Sequence, residues 1–235
     1  MESGAAKKIV ELLSSPSLVV QRTTLRTVGN LLTGSTEQTQ ILISYGVLNQ
    51  LTKLLDCSKK TFRKEVVWAI SNITAGTEEQ IQAVIDANLF PKLLEIFSSQ
   101  NDVGLSREAC NTCVNVLYKG TSNQCQYLID LDIVERFCYE LTSSDHKTVL
   151  LVLQGLEMVL VEAEKDDRIF DKIADIIGGC ERKLQALLEH SNKEVAKTAR
   201  RVLDFIEIDL SETTFSTGSL EPFQFSGCQF SGFQF

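Results

Sequence analysis

The sequence predicts an all-α solenoid, a fold in which short helical repeats stack along one axis. One helical segment occurs three times, with an asparagine at the same place in each copy: Asn30, Asn72 and Asn115. These asparagines are 42 and then 43 residues apart. A glycine follows each of them closely, and a second similar apolar segment follows each glycine. The repetition therefore covers a whole structural unit, not a single short motif.

The length of the period indicates the kind of repeat. A period in the low forties with helical patterning is typical of armadillo or HEAT repeats. Each such repeat buries its core only against its neighbours, and the array presents a long concave surface. We therefore expect a protein that acts by binding along an extended surface and not through one catalytic cleft.

Composition narrows the class of protein further. Hydrophobic residues make up 43% of the 235-residue chain and proline occurs only 3 times, which suits a helical protein. The formal charge of −8 argues against a nucleic-acid binder and is compatible with a basic partner. Neither a secretory signal nor a membrane-spanning segment is predicted, since the most apolar stretch, residues 149–161, is short and interrupted. The 7 cysteines lack framework spacing and indicate reduced thiols in the cytosol or nucleus.

The hydrophobic pattern places a long helix at the end of each repeat. These long helices are predicted at about residues 17–33, 61–75, 105–119 and 146–163. Two shorter helices are expected in each of the segments 37–56, 79–98 and 122–142. Gly76 closes the second long helix and is predicted to be its left-handed C′ residue. A last, atypical repeat is expected at about 168–208, with a break at Gly178-Gly179.

These elements divide the chain into two regions. Residues 1–208 are predicted to form the solenoid, in which the first repeat is incomplete and about four more repeats follow. From residue 209 to 235 Ser, Thr, Gly and spaced phenylalanines dominate, with no helical period. This composition predicts a flexible tail, either inert or carrying a linear docking motif.

The second long helix has two distinct faces. At 100° per residue, Val66, Ile70 and Ile73 fall on one stripe, which we assign to the core. The nearly opposite stripe carries an acid, a large aromatic ring and an amide: Glu65, Trp68 and Asn72. Two interpretations of Trp68 stay open at this point. It either packs as core against a neighbouring repeat, or lines a groove whose aromatic face accepts a lysine while the amide holds a peptide backbone.

Two segments with this pattern resemble the importin-α (karyopherin-α) family of nuclear import adaptors. Residues 28–34 read Val-Gly-Asn-Leu-Leu-Thr-Gly, and residues 67–76 read Val-Trp-Ala-Ile-Ser-Asn-Ile-Thr-Ala-Gly. Residues 80–88 and the final Gly-Phe-Gln-Phe are also similar. The resemblance covers nearly the whole chain and matches the C-terminal half of the family. It implies an armadillo-repeat right-handed α-solenoid with a disordered C-terminal tail, in a protein that shuttles between cytoplasm and nucleus.

The resemblance also implies a binding site and its ligand. The family binds nuclear localisation signals, which are basic peptides of cargo proteins, in a groove whose minor site lies in the later repeats. By the family pattern Trp68 would stack on a signal lysine, and Glu65 and Glu108 would pair with lysine or arginine. The repeated asparagines would hold the peptide backbone. The predicted site residues are Arg26, Asn30, Glu65, Trp68, Asn72, Glu108, Asn111 and Asn115. No cofactor is implied.

The chain departs from the family pattern in two respects. Asn111 stands where the family usually has tryptophan, so one aromatic wall is lost and weaker peptide binding is expected. No basic importin-β-binding segment precedes the repeats, so importin-β is not an expected partner.

By the same resemblance, the last repeat would contact an export receptor of the CAS type. Two alternatives remain, namely a general armadillo scaffold for another protein partner and a truncated adaptor paralogue.

One further motif could carry chemistry. Cys110 and Cys113 have the spacing of a metal or redox pair, but no second pair or nearby histidine completes four ligands. Cys113 also takes the core place that Ile70 holds one repeat earlier, so both are predicted to be ordinary core residues. His146 and His190 match no catalytic motif, and no phosphate loop is present. We therefore predict no catalytic residues, no metal site and no enzyme activity.

Overall fold

The structure is a computed structural model that describes residues 3–57, 59–99 and 102–211. Within these ranges all regular secondary structure is α-helical. The first seven helices are α1 (Ser3–Leu12), α2 (Leu18–Leu32), α3 (Thr36–Ser44), α4 (Val47–Leu55), α5 (Lys60–Thr74), α6 (Glu78–Asp86) and α7 (Phe90–Phe97). The next seven are α8 (Val103–Lys119), α9 (Ser122–Ile129), α10 (Ile133–Glu140), α11 (His146–Ala163), α12 (Asp167–Gly178), α13 (Glu181–Leu187) and α14 (Lys193–Ser211).

The helices after α2 form units of three, in which two shorter helices precede a long one. The units are α3–α5, α6–α8, α9–α11 and α12–α14. The long helices pack against one another in chain order, α2 on α5, α5 on α8, α8 on α11 and α11 on α14. The predicted core stripe of α5 is fully buried in this stack, at Val66, Ile70 and Ile73. The all-α solenoid is therefore confirmed, and so is the face of α5 that points into its core.

The left-handed residues lie between the two short helices of a unit and not at the end of the long helix. Gly46, Asn88 and Asp132 have φ values of 80°, 51° and 59° and precede α4, α7 and α10 respectively. The prediction of a left-handed Gly76 is wrong, because Gly46 is the positive-φ glycine among the described residues. Helix α5 ends instead in a right-handed turn, in which the Gly76 N–H donates to the Ile73 carbonyl oxygen at 3.0 Å.

The side chain that caps the next helix explains why glycine occurs at position 76. Thr77 and Gln80 form a capping box at the start of α6, in which each side chain accepts a hydrogen bond from the other residue's backbone N–H. A Cβ at Gly76 would lie 1.9 Å from Oε1 of Gln80. Gly34 and Gln38 repeat this arrangement before α3. The glycine therefore ends one repeat by leaving room for the cap of the next.

The capping glutamines also join neighbouring repeats. Nε2 of Gln80 donates to the Thr36 carbonyl oxygen of the preceding unit at 2.9 Å. Nε2 of Gln124 donates in the same way to the carbonyl oxygen of Glu78, also at 2.9 Å. One side chain thus starts a helix and bonds to the repeat before it, so the register of stacking depends on a local capping motif.

The last unit begins with a longer helix than the other units, since α12 has 12 residues. Helix α12 ends at Gly178, where the Gly178-Gly179 break was predicted. Helix α14 ends at Ser211, so the predicted boundary between residues 208 and 209 lies inside it. The predicted Phe-rich tail from residue 212 onward lies outside the described residues. None of the described helices is long and apolar enough to span a membrane.

Candidate functional site

The predicted site residues lie on three long helices that stack directly on one another, α2, α5 and α8. Residues three and four positions apart share one side of a helix, and this is the spacing of the predicted residues on α5 and α8. The set consists of Arg26 and Asn30 on α2, Glu65, Trp68 and Asn72 on α5, and Glu108, Asn111 and Asn115 on α8. We call the surface that these eight residues form the ladder face.

Trp68 packs against the glycine that precedes Asn30 on α2. A Cβ at Gly29 would lie 2.2 Å from Cζ3 of Trp68, so only glycine lets the ring approach the helix this closely. Trp68 is nevertheless only half-buried. The ring therefore contacts the preceding repeat with part of its surface and keeps the rest accessible. Packing of Trp68 against the neighbouring repeat is thus observed, while its role in a groove that accepts a lysine stays a prediction.

The ladder asparagines bond to the helix before their own. Nδ2 of Asn72 donates to the Gly29 carbonyl oxygen at 3.3 Å, and Nδ2 of Asn115 donates to the Ser71 carbonyl oxygen at 3.0 Å. Asn115 also donates to Oγ1 of Thr74 at 3.3 Å. No described residue donates to Oδ1 of either amide. Each amide is therefore held in place by the neighbouring repeat, while its oxygen is available to accept a hydrogen bond from another molecule.

An ion pair joins two of the predicted residues. Nη2 of Arg26 donates to Oε1 of Glu65 at 2.9 Å, from α2 to α5. The Glu65 side chain is only 11% exposed, and its Oε2 is buried without a hydrogen-bond partner among the described residues. Removing the arginine would leave a buried charge uncompensated, which is costly. The Glu65 carboxylate therefore already has an arginine partner within the chain.

Glu108 is the equivalent acid one repeat later, and its environment differs. It is 5% exposed, and its Oε2 is buried with no hydrogen-bond donor in the described part of the chain. Burial raises the pKa of the Glu108 carboxyl, and the nearby Lys64 and Arg107 oppose that rise only in part. Its charged form is thus less stable than that of an exposed carboxylate, and an additional cation nearby would favour ionisation.

Two predicted residues differ from the others in their side-chain hydrogen bonding. Asn30 is exposed on α2, and Asn111 is half-buried on α8. Neither side chain forms a hydrogen bond with any residue described by the structure. The structure thus links Arg26 with Glu65 and anchors Asn72 and Asn115 to the preceding helices, but it leaves Asn30 and Asn111 unlinked.

Sequence reasoning missed the residues that support the ladder face. Gly29 accommodates Trp68, and Ser71 provides the carbonyl oxygen for Asn115. Each directly precedes a ladder asparagine, at Asn30 and Asn72, but its partner comes from the next repeat, so the position alone gave no signal of its role. The capping glutamines had a clearer signal, because glycine followed by Ser or Thr and then by Gln three residues later marks a helix start.

The cysteine pair of α8 belongs to the core. Cys110 and Cys113 are both fully buried, as predicted. Burial raises the pKa of the Cys110 thiol and raises the pKa of the Cys113 thiol to about 12. Protonated thiols are poor metal ligands and poor nucleophiles. The described residues also contain no cluster of three or more His, Cys, Asp or Glu side chains that could hold a metal ion.

Known proteins share both the repeat and much of the sequence. Residues 35–75 match the armadillo/beta-catenin-like repeat family, a range that coincides with the unit α3–α5 and its caps. Importin subunit alpha-1b of Oryza sativa subsp. japonica is 36% identical over 226 residues, which cover 93% of this chain and 42% of that protein. The chain is an armadillo-repeat solenoid related to importin α. Importin subunit alpha-3 of Arabidopsis thaliana is 34% identical over 215 residues, which cover 87% of this chain and 40% of that protein.

The chain spans less than half the length of these relatives, 42% and 40%. Solved armadillo structures superpose on most of it. A designed armadillo repeat protein in complex with the peptide (KR)4 gives a TM-score of 0.77 at 28% identity, covering 86% of this chain and 82% of that one. A computationally designed armadillo repeat protein for modular peptide recognition gives the same values. The solenoid therefore shares the armadillo-repeat architecture of these designed proteins.

Proposed function

We propose that this chain is an import-adaptor-like protein that binds basic nuclear localisation signal peptides along the ladder face. The observation that carries the proposal is the repeated amide of Asn72 and Asn115. In both repeats Nδ2 is anchored on a carbonyl oxygen of the preceding long helix, and Oδ1 accepts no hydrogen bond from the described residues. Two such oxygens one repeat apart can accept N–H donors of an extended peptide without reading its side chains.

The neighbouring side chains would select basic residues. The accessible part of the Trp68 ring, held in place by Gly29, offers an aromatic face to a lysine or arginine side chain. Glu108 adds a carboxylate whose ionisation a cation would favour, because burial raises its pKa in the free protein. A basic peptide that spans both repeats would gain both contacts. The net charge of −8 favours the approach of such a peptide from a distance.

The relationship to importin α supports the proposal, and so does the (KR)4 peptide bound to a designed protein of the same fold. Further parts of the function are predictions from the resemblance. They are transport of cargo between cytoplasm and nucleus, and contact of the last unit, α12–α14, with an export receptor of the CAS type. The peptide-binding proposal depends on neither of them, since it needs only α2, α5 and α8.

The test is a titration of the chain with a labelled Lys/Arg-rich localisation peptide, followed by fluorescence anisotropy. The matched control is the same peptide with its lysines replaced by alanine. Trp68 is the one tryptophan of the chain, so its emission reports directly on the ladder face during the same titration. We expect lysine-dependent binding together with a change in Trp68 emission. Binding without an emission change would place the peptide elsewhere, and no binding at roughly 10–100 µM would reject the proposal.

A second candidate is a general armadillo scaffold for a partner that is not a basic signal. Two observations favour it, namely that Glu65 is already paired with Arg26 and that position 111 holds asparagine in place of an aromatic residue. A scaffold of this kind would bind the lysine and alanine peptides equally weakly. The same titration therefore separates the two candidates.

A further inference from the structure

Two cysteines of neighbouring repeats meet at the end of the solenoid. Cys138 lies on α10, and Cys180 lies between α12 and α13. Their Sγ atoms are 3.1 Å apart, within hydrogen-bonding distance for sulfur, although the residues are 42 positions apart in the chain. Both are free thiols and are 8% and 6% exposed respectively. The stacking of the last unit on the one before therefore creates a thiol pair that neither repeat contains by itself.

We propose that Cys138 and Cys180 form an oxidisable pair, a modification site at which peroxide closes a disulfide between the unit α9–α11 and the last unit. The Sγ atoms need to approach from 3.1 Å to the S–S bond length of about 2.05 Å. A shift of about 1 Å is within the reach of side-chain rotation and small backbone movement. The site is independent of the ladder face, which lies on α2, α5 and α8.

The chemistry balances with one peroxide molecule per pair. The Cys180 thiolate attacks one peroxide oxygen, the O–O bond breaks, and hydroxide leaves as the sulfur is oxidised to a sulfenic acid. Cys138 then attacks that sulfur, the S–O bond breaks, and a second hydroxide leaves. The two protons of the original thiols convert the hydroxides to water. Two thiols and one hydrogen peroxide thus give one disulfide and two waters.

Cys180 is the better suited of the two to react first. The hydrogen bond with Cys138 and the nearby Lys183 lower the pKa of the Cys180 thiol, although burial opposes them. The Lys183 ammonium is held in place, because Nζ donates to the Cys138 carbonyl oxygen at 3.0 Å. The pKa of Cys138 is raised, chiefly by the same hydrogen bond to Cys180. A pair with one thiolate-forming member and one resolving member is the usual arrangement of redox-sensing cysteines.

The other described cysteines lack these features. Cys110 and Cys113 are fully buried in α8, and Cys125 is 1% exposed with its thiol pKa raised to about 11 by burial. Cys57 is half-buried, and the structure gives it no thiol partner. Cys180 instead follows the Gly178-Gly179 break, where a Cβ added at Gly178 would meet no atom within 4 Å. Residues 178 and 179 are exposed, so solvent reaches the backbone directly before Cys180.

The test is a peptide map of the full chain after hydrogen peroxide treatment and alkylation of remaining thiols. Trypsin places Cys138 in the peptide 137–147 and Cys180 in the peptide 173–182. We expect these two peptides to become joined as the dominant cross-link, with the loss of two hydrogen atoms in mass and of two alkylatable thiols. Reduction with dithiothreitol should restore both. If the two peptides stay unlinked while peroxide is consumed at other cysteines, the proposal is overturned.

Variants add a second measurement that does not depend on the map. Cys138→Ser should leave Cys180 as a sulfenic acid that a dimedone probe can label, because no resolving thiol remains. Cys57→Ser is the matched control and should form the cross-link at the wild-type rate. Hydrogen exchange of α12–α14 should slow after oxidation of the wild-type chain but not of Cys138→Ser. Equal dimedone labelling of Cys180 in both proteins after peroxide treatment would show that Cys138 does not resolve it, and would contradict the proposal.

Discussion

The two ladder repeats on α5 and α8 share one scaffold and differ in what they present. In both, an asparagine amide is anchored on a carbonyl oxygen of the preceding long helix, at Gly29 for Asn72 and at Ser71 for Asn115. Only α5 adds an aromatic ring, because Trp68 has an asparagine, Asn111, as its counterpart on α8. The anchored amide is thus present in both repeats, while the aromatic ring is present in one.

The acidic residues of the two repeats, Glu65 and Glu108, also differ in their surroundings. Glu65 has an arginine partner within the chain at 2.9 Å, whereas burial raises the pKa of the Glu108 carboxyl. Both acids have a buried Oε2 that accepts no hydrogen bond from the described residues. The aromatic contact would therefore come from the α5 repeat and the available negative charge from the α8 repeat. A basic peptide would need to span both repeats to use both.

The largest effect should follow from removing the ring of the α5 repeat. Trp68→Ala is expected to weaken binding of the basic peptide by about 2 kcal/mol, since buried aromatic residues at the centre of an interface contribute most to affinity. Anisotropy titration measures the loss, and circular dichroism should show unchanged helix content. Unfolding of the variant would mean that Trp68 acts mainly as core packing on Gly29.

Adding an aromatic ring to the α8 repeat tests the same difference between the two repeats by a gain of affinity in place of a loss. Asn111→Trp should strengthen peptide binding by about 1 kcal/mol, the magnitude of one accessible cation–π contact. Calorimetry with the lysine and alanine peptides would show whether the gain depends on lysine. Asn111→Ala is the control for loss of the amide, and equal affinity of the Trp and Ala variants would argue that this repeat does not contact the peptide.

Removing either amide tests the part that the two repeats share. Asn72→Ala and Asn115→Ala should each lower affinity by roughly 0.5–1 kcal/mol, because each loses one acceptor for a peptide N–H. Similar losses are expected, since both amides are anchored in the same way. A loss confined to Asn72→Ala, measured in the same anisotropy titration, would restrict the peptide to the α5 repeat.

The smallest expected effect is a pH dependence that comes from the α8 repeat. Binding a cation favours ionised Glu108, so the peptide-bound protein has a lower pKa at this carboxyl than the free protein, in which burial raises it. The contribution of Glu108 to affinity is therefore complete above the raised pKa and is lost as the pH falls through it. Titrations from neutral pH downward, towards the ordinary pKa of a glutamate carboxyl, should show this decline.

The matched variant for this pH dependence is Glu108→Gln, which keeps the shape of the side chain and removes its charge. Its affinity should be lower than wild type at neutral pH and nearly constant over the same range. Glu65→Gln is the control at the equivalent position of the α5 repeat and should leave the pH dependence in place, because Glu65 already has Arg26 as its partner. An unchanged wild-type slope in Glu108→Gln would assign the titration to another group.

Much of the fold could be predicted from the sequence because its signals are local. Periodicity located the long helix of each repeat to within a few residues, as for 61–75 against Lys60–Thr74. The core stripe of α5 followed from the same pattern, and Cys113 was assigned to the core by its position relative to Ile70. The end of α5 was predicted less well, because glycine fits both a left-handed C′ residue and a residue that makes room for a glutamine cap.

The candidate site was predicted as a set of residues but not as a set of contacts. The spacing on α5 predicts Glu65, Trp68 and Asn72 on one side of the helix, opposite the core stripe; Trp68 and Asn72 are half-buried there, whereas Glu65 is buried. The spacing could not show that Arg26 forms an ion pair with Glu65, because the two lie 39 positions apart on different helices. Gly29 was missed for the same reason, since its role depends on a ring from the next repeat.

By itself, the sequence determined the repeat, its helices, its buried stripe and the positions of the ladder asparagines, because hydrophobic period and helix caps act over a few residues. Tertiary structure alone decided which groups meet across one period of the solenoid. Arg26 pairs with Glu65, Trp68 packs on Gly29, and Cys138 lies 3.1 Å from Cys180. These contacts depend on the rotation and rise between neighbouring repeats, and that geometry results from the packing of whole helices and not from any single segment.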